Sequence, residues 1–238
     1  ASSVPTAKLV VTGDANVSGA VTAKTFIPTV GQLSHRNLII NGAMQVAQRG
    51  TSRSTEGYTC DRWAAYRNGQ DEELTMTQHS LTTSDTGPYE VGFRNSLHLQ
   101  NGNQSSGAGT ADYALIRYIV EAQDIANSGW NYKSGSSYMT LSYWVKSSVA
   151  QNFYVNIQSK DGTSQSYPFE TGSLSADTWT KITKTIPGLA NGNIDVNDDN
   201  GAGLEIDMWP FAGTDYTTSG VTLNAWGAYS SSTRFADN

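Results

Sequence analysis

Apolar and polar residues alternate along much of the chain. In Tyr138–Lys146, Met139, Leu141, Tyr143 and Val145 fall on one side and Tyr138, Thr140, Ser142 and Trp144 on the other, the period of two that a β-strand imposes. Aromatics on both sides predict a central strand. Asn152–Ser159 alternates through Phe153, Val155 and Ile157, Asp161-Gly162 is a hairpin signal, and Ser164–Phe169 returns. Further strands are predicted over Tyr113–Val120, Asp177–Gly188 with Pro187 as its stop, Leu204–Trp209 and Val221–Tyr229. Shorter runs lie at Ala64–Arg67, closed by an Asn68-Gly69 turn, at Leu74, Met76 and His79, and at Phe93, Leu97 and Leu99. Leu38–Ile40 predicts a short buried strand, Asn41-Gly42 a turn with positive φ, and Met44 with Val46 a half-buried strand that Gly50 stops. Glu121–Ile125 alone suggests a helical turn. Roughly ten strands with almost no helix predict an all-β fold, an antiparallel β-sandwich over residues 37–238.

Residues 1–36 read differently, as a short N-terminal β stem and a linker. A small, polar lead-in (1–7) is followed by Val11-Thr12-Gly13 and Val17-Ser18-Gly19, with Val21-Thr22-Ala23 as a looser echo. Leu9, Val11, Val17, Val21 and Phe26 are too few to make a core in one chain. Burying an aliphatic side chain contributes roughly 1.5–3 kcal/mol, while ordering each residue costs about 1–2 kcal/mol. The segment is expected either to assemble with copies of itself or to pack as a hairpin on the main domain. Pro28 and Gly31 break the linker, where His35 reads as a solvated side chain.

Composition narrows the function classes. Only 15% of the 238 residues are charged, glycine is frequent at 23, and the net charge is −6 with Lys and Arg scattered. No basic stripe marks a nucleic-acid partner. No apolar run approaches the ~20 residues of a membrane span, and no stretch reads as a signal peptide. The chain begins at Ala1 without Met, as a processed or trimmed piece would. Cys60 is the one cysteine, which excludes an intrachain disulfide, and between Tyr58 and Trp63 it reads as a small buried apolar residue.

The motifs of zinc proteases, serine hydrolases and phosphate-binding loops are missing, and three scattered histidines make no zinc set. No cofactor is implied. Asp195, Asn197 and Asp199 have the alternate spacing of a calcium loop, but Gly201 falls one place late and no Glu sits at the twelfth position. A hairpin rich in turn formers explains the stretch equally well. A glycosidase needs paired carboxylates across a cleft, and nothing in the sequence pairs Asp61, Glu205 and Asp207. Sugar binding uses exposed ring faces and polar side chains. Trp130, Tyr132 and Tyr167, set among Gly, Ser and Asn, are the carbohydrate-binding candidates; the alternative is that the rings cap the core.

Asn37-Leu38-Ile39-Ile40-Asn41-Gly42-Ala43-Met44, Gln48-Arg49-Gly50-Thr51-Ser52 and Tyr58-Thr59-Cys60-Asp61-Arg62-Trp63 together resemble the opening of a jelly-roll module found at the far ends of bacteriophage tail fibres and related virion appendages. Glu121–Ile125 and the Trp179–Gly188 stretch are similar to later signatures of the same class, and Gly13–Ala23 resembles the stems that precede such tips. The resembling modules usually continue into one more strand past the position of Asn238. The resemblance implies a jelly roll, a homotrimer held partly by the stem, contacts with other virion proteins through it, and a place on the virion tail or capsid. It implies a fibre subunit that attaches to a host-surface glycan. The alternatives are a purely structural decoration without a ligand and, third, a glycan-degrading fibre. Asp61 and Arg62 beside a buried Trp63 could contact a ligand, or fix the strand start through an ion pair or a backbone-bonded carboxylate.

Overall fold

The structure, a computed structural model, describes residues 18–19, 37–103, 105–190, 192–217 and 221–232. The chain divides into two units, Ala1–Val30 and Gly31–Asn238. In the first unit only Ser18 and Gly19 are described, as a bend. Leu9, Val11, Val17, Val21 and Phe26 lie outside the described residues, as does His35 of the linker.

The second unit is antiparallel β-structure, with 38% of the described residues in strands and one short helix among them. In chain order the strands are β1 (Ser52–Arg53), β2 (Gly57–Tyr58), β3 (Trp63–Asn68), β4 (Thr75–Ser80), β5 (Asn95–Gln100), β6 (Tyr113–Glu121), β7 (Tyr138–Val145), β8 (Tyr154–Ser159), β9 (Gln165–Glu170), β10 (Thr180–Pro187), β11 (Ala202–Ala212) and β12 (Gly227–Ala228). The helix α1 (Ala122–Ala126) follows β6 where one turn was expected. Seven strands form one sheet in the order β12-β9-β8-β11-β6-β3-β2; β1-β4-β5 and β10-β7 form two smaller ones. The Asp161-Gly162 hairpin joins β8 to β9, with Gly162 at φ +60°. β11 runs past Trp209, where the alternation breaks, because a register shift between Met208 and Phe211 accommodates Pro210.

Alternation sorts the large sheet's side chains onto two faces. Tyr118 and Val120 of β6, Val155 and Ile157 of β8, and Leu204 and Ile206 of β11 point to one side. They share one buried cluster with Leu141 of β7 and Ile186 of β10. On the opposite face, Leu115, Tyr154, Trp209 and Ala212 form a second cluster. Cys60 is fully buried, and burial pushes its thiol up to about 11, which keeps it protonated and inert.

Two expectations are corrected. β7 is not central, for among the described residues it pairs with β10 alone. Its outward aromatics are handled without a neighbouring strand: Tyr138 stays 58% exposed, and the turn at Gly87 packs so tightly on Trp144 that a Cβ there would lie 2.7 Å from the ring. Residues 38–40 and 44–46 are not strands. Asn41 at φ 57° and Met44 at φ 54° prevent extended runs, so the segment becomes an irregular strap. Leu38, Ile39 and Met44 pack on the main core, while Ile40 and Val46 are exposed.

The strap has no ladder, so side chains satisfy its backbone. Asn41 accepts from the Val46 N–H (3.0 Å) and donates to the carbonyls of Val46 (2.9 Å) and Asp61 (3.0 Å). Asp61 accepts from the Gln48 N–H (3.0 Å). The Tyr118 hydroxyl accepts from the Ile40 N–H (2.7 Å), and the Trp63 indole donates to the Asn41 carbonyl (3.3 Å). Asn41→Ala removes three of these bonds and places a Cβ-bearing residue without a polar side chain at positive φ. The expected result is a loss of about 2–4 kcal/mol in chemical denaturation, with proteolysis advancing first within residues 37–50.

Candidate functional site

The aromatic candidates are placed in the core. Trp130 is 8% exposed and Tyr167 3%. Tyr132 is half-buried and meets Trp130 edge-on at 6.2 Å. Tyr167 packs instead against Phe169 and Trp226. Of the two readings, the one in which the rings cap the core describes Trp130 and Tyr167, and around Trp130 the Ser and Gly residues fold the loop over the ring. Ser128 Oγ donates to the Ile125 carbonyl (2.7 Å) and accepts from the Trp130 N–H (3.1 Å). Ser137 Oγ accepts from the Asn131 N–H (3.0 Å), and the N–H groups of Gly188 and Leu189 donate to the Ser137 and Tyr132 carbonyls. At Gly188 a Cβ would lie 2.6 Å from the Ser134 carbonyl, so only glycine fits there.

The acidic loop is occupied by its own bonds. Asp195 pairs with Lys133 (2.6 Å), Asn197 donates to Asp161 through its N–H and its amide (2.8 and 3.0 Å), and Asp199 accepts from the Gly201 N–H (2.9 Å). Among the described residues no three His, Cys, Asp or Glu side chains cluster as a metal site.

Asp61 belongs to the strap, apart from the other two carboxylates. Glu205 and Asp207 sit on the outer face of the seven-stranded sheet, and both are buried. Arg117 of β6 grips Asp207 with two bonds (2.7 and 2.8 Å) and reaches Glu205 at 2.8 Å; Lys160 lies 3.3 Å from Glu205. Burial raises the Glu205 carboxyl above its usual range, with Asp207 adding to the rise and Arg117 and Lys160 opposing it. Burial pulls the Arg117 guanidinium down, but the Asp207 bond and both carboxylate charges outweigh it, so Arg117 stays charged. Two acids and two bases thus neutralise one another under the Tyr66 ring, 5.0 Å from the guanidinium. Removing one partner strands a buried charge, at a cost of about 3–5 kcal/mol. Arg62, beside the strap, pairs with Glu121 at 2.5 Å.

A further site lies where two turns face each other. Arg53 at the end of β1 with Thr55 and Glu56 of the turn after it, and Arg67 and Asn68 at the end of β3 with Gly69 and Glu73 of the turn after it, line an open cleft of about 470 Å³. Arg53 Nε donates to the carbonyls of Thr55 (3.0 Å) and Glu56 (2.8 Å), so the turn curls around its own guanidinium. Glu56 accepts from the Arg67 N–H (2.8 Å), linking the walls. Gly69, at φ +78°, lies against the Asp112 carboxylate, which a Cβ there would displace. Arg67 Nη2 pairs with Glu73, while its buried Nε has no hydrogen-bond partner. Asp71 and Glu72 fasten the loop after β5. Asp71 accepts from Ser106, and Glu72 from the Asn103 N–H (2.7 Å). The cleft offers donors and acceptors side by side without a ring platform, and this suits a hydroxyl-rich ligand.

No protein-family model matches the chain, and no curated protein matches it.

Trp130 donates from its indole to the Ser137 carbonyl (3.3 Å) in a packed site. Trp130→Ala is therefore expected to lower stability by about 3–5 kcal/mol in denaturant titration. A variant as stable as the parent would contradict this placement.

Proposed function

We propose that this chain is a virion-appendage subunit, a tail or head fibre component, whose jelly-roll tip attaches to a host-surface glycan. One observation carries the glycan part: the cleft between the β1–β2 and β3–β4 turns is lined by Arg53, Thr55, Glu56, Arg67, Asn68 and Glu73. Sugar hydroxyls donate and accept at once, and this lining answers both roles. The sharing of one core between the large sheet and the β7–β10 pair supports a sandwich of the jelly-roll kind. Residues 8–27 would hold three copies together and join other virion proteins. Three identical tips would then add weak sugar contacts by effective concentration. The pairing of Glu205 and Asp207 with Arg117 and Lys160 favours binding over hydrolysis.

The second reading is a decoration protein without a ligand. It draws support from the resembling motif itself, for Asn41, Asp61 and Trp63 spend their polar groups inside the fold.

The test is a microarray of bacterial surface polysaccharides probed with the full chain and with Arg53→Ala. Arg53 is exposed, so the variant is expected to stay folded, with a lowered melting temperature because the Thr55 and Glu56 carbonyls lose their donor. Its affinity for the bound glycan should fall about tenfold or more, the loss of one charged hydrogen bond. Unchanged affinity would remove the cleft from the account, and an array with no bound glycan would favour the decoration reading.

A further inference from the structure

We propose that the cleft takes the carboxylate of an acidic sugar, a uronate or a sialate, and that Glu73 holds the place of that carboxylate when no ligand is bound. The inference rests on the reading of the cleft as a glycan site and names the sugar class. A guanidinium presents Nε–H and one Nη–H along a single edge, a fork that matches the two oxygens of a carboxylate. On Arg67 this edge is half used: Nη2 is paired with Glu73, and the buried Nε donates to nothing. Nε is closed to solvent while Glu73 is in place, so a ligand carboxylate would reach this edge only once Glu73 leaves it, and would then satisfy both donors.

The resident partner is suited to leave. The Glu73 side chain is 51% exposed, while that of Arg67 is 21% exposed. An ion pair with one partner so open to water is held weakly. Across the cleft, Arg53 is fixed by its Nε bonds to the Thr55 and Glu56 carbonyls, and its terminal nitrogens make no hydrogen bond among the described residues. It supplies a second positive charge without needing to move. Glu56 is committed by one oxygen to the Arg67 N–H, which leaves the other to accept from a ring hydroxyl. With Glu73 swung out, the two guanidinium groups face Glu56 and the ligand carboxylate, so the charges balance. One carboxylate oxygen, that of Glu73, already sits against Arg67 Nη2.

The experiment titrates the full chain with glucuronate, galacturonate and N-acetylneuraminate, each beside its methyl ester, and follows the Arg Nε–H resonances by NMR. At least one acid should bind about tenfold tighter than its ester, equivalent to 1.4 kcal/mol, and should shift the Arg67 Nε–H signal. E73Q, a change at an exposed position, should tighten the acid more than it tightens the ester. R67K keeps the charge, loses the fork, and should lose the preference for the acid. Equal binding of acid and ester, or an E73Q variant that binds the acid no better, would overturn the proposal and leave the glycan reading standing. Tighter binding of glucose 6-phosphate than of all three acids would overturn it in favour of a phosphorylated sugar. Failure of all these probes, with array glycans still bound at the cleft, would also overturn it. If no glycan of any kind binds, the parent reading falls instead.

Discussion

The strap clipped by Asn41 is the constraint on which the rest of the second unit depends. A segment that leaves the β ladder must still pair its backbone groups, and here a few side chains do so. Asn41 closes the strap on Val46 and Asp61, Asp61 holds Gln48, and Tyr118 and Trp63 reach up from the large sheet to bind Ile40 and Asn41. The far end is tied to β4, where the Gln78 N–H donates to the Thr51 carbonyl and its amide to that of Met44. The strap therefore delivers β1, with Arg53, beside β4. Trp63 begins β3 and Arg67 lies near its end. One set of hydrogen bonds thus fixes both walls of the cleft.

The large sheet supplies the rigidity behind this. It is covered by apolar clusters on both faces, and its centre carries a charged group that is satisfied internally. Arg117 stands opposite Asp207 in the β6–β11 register, so the ion pair forms only if these strands align correctly. A one-residue slip would turn Arg117 into the main core, where no carboxylate waits, and such a slip is strongly disfavoured. The polar groups of the outer face act as a register device.

The strands that alternate cleanly were legible. β6 to β11 lie where their patterns place them, and the Asn68-Gly69 and Asp161-Gly162 turns hold as read, because period-two burial and positive-φ residues are local signals. The strap was not legible, since its apolar residues imitate a strand while Asn41 and Met44 bend the backbone. Sequence left Trp130 open between a surface ring and a core cap for a related reason: Ser128, Ser137 and Gly188 are turn formers, and here their turns enclose a ring instead of exposing it. The cleft left almost no trace in sequence. Arg53 and Arg67 belong to different sheets, and Glu73 comes from a third segment, the turn before β4. Only folding brings them together. The resembling motif marks the fold's fastening.

The most direct test of the central claim is a chemical-shift map of the isotope-labelled chain with the oligosaccharide that it binds best on a polysaccharide array. The account predicts that the largest perturbations fall on Arg53, Thr55, Glu56, Arg67, Asn68, Gly69 and Glu73, the residues that line the cleft. Perturbations centred on the loop that buries Trp130 and Tyr132, with the cleft silent, would contradict it.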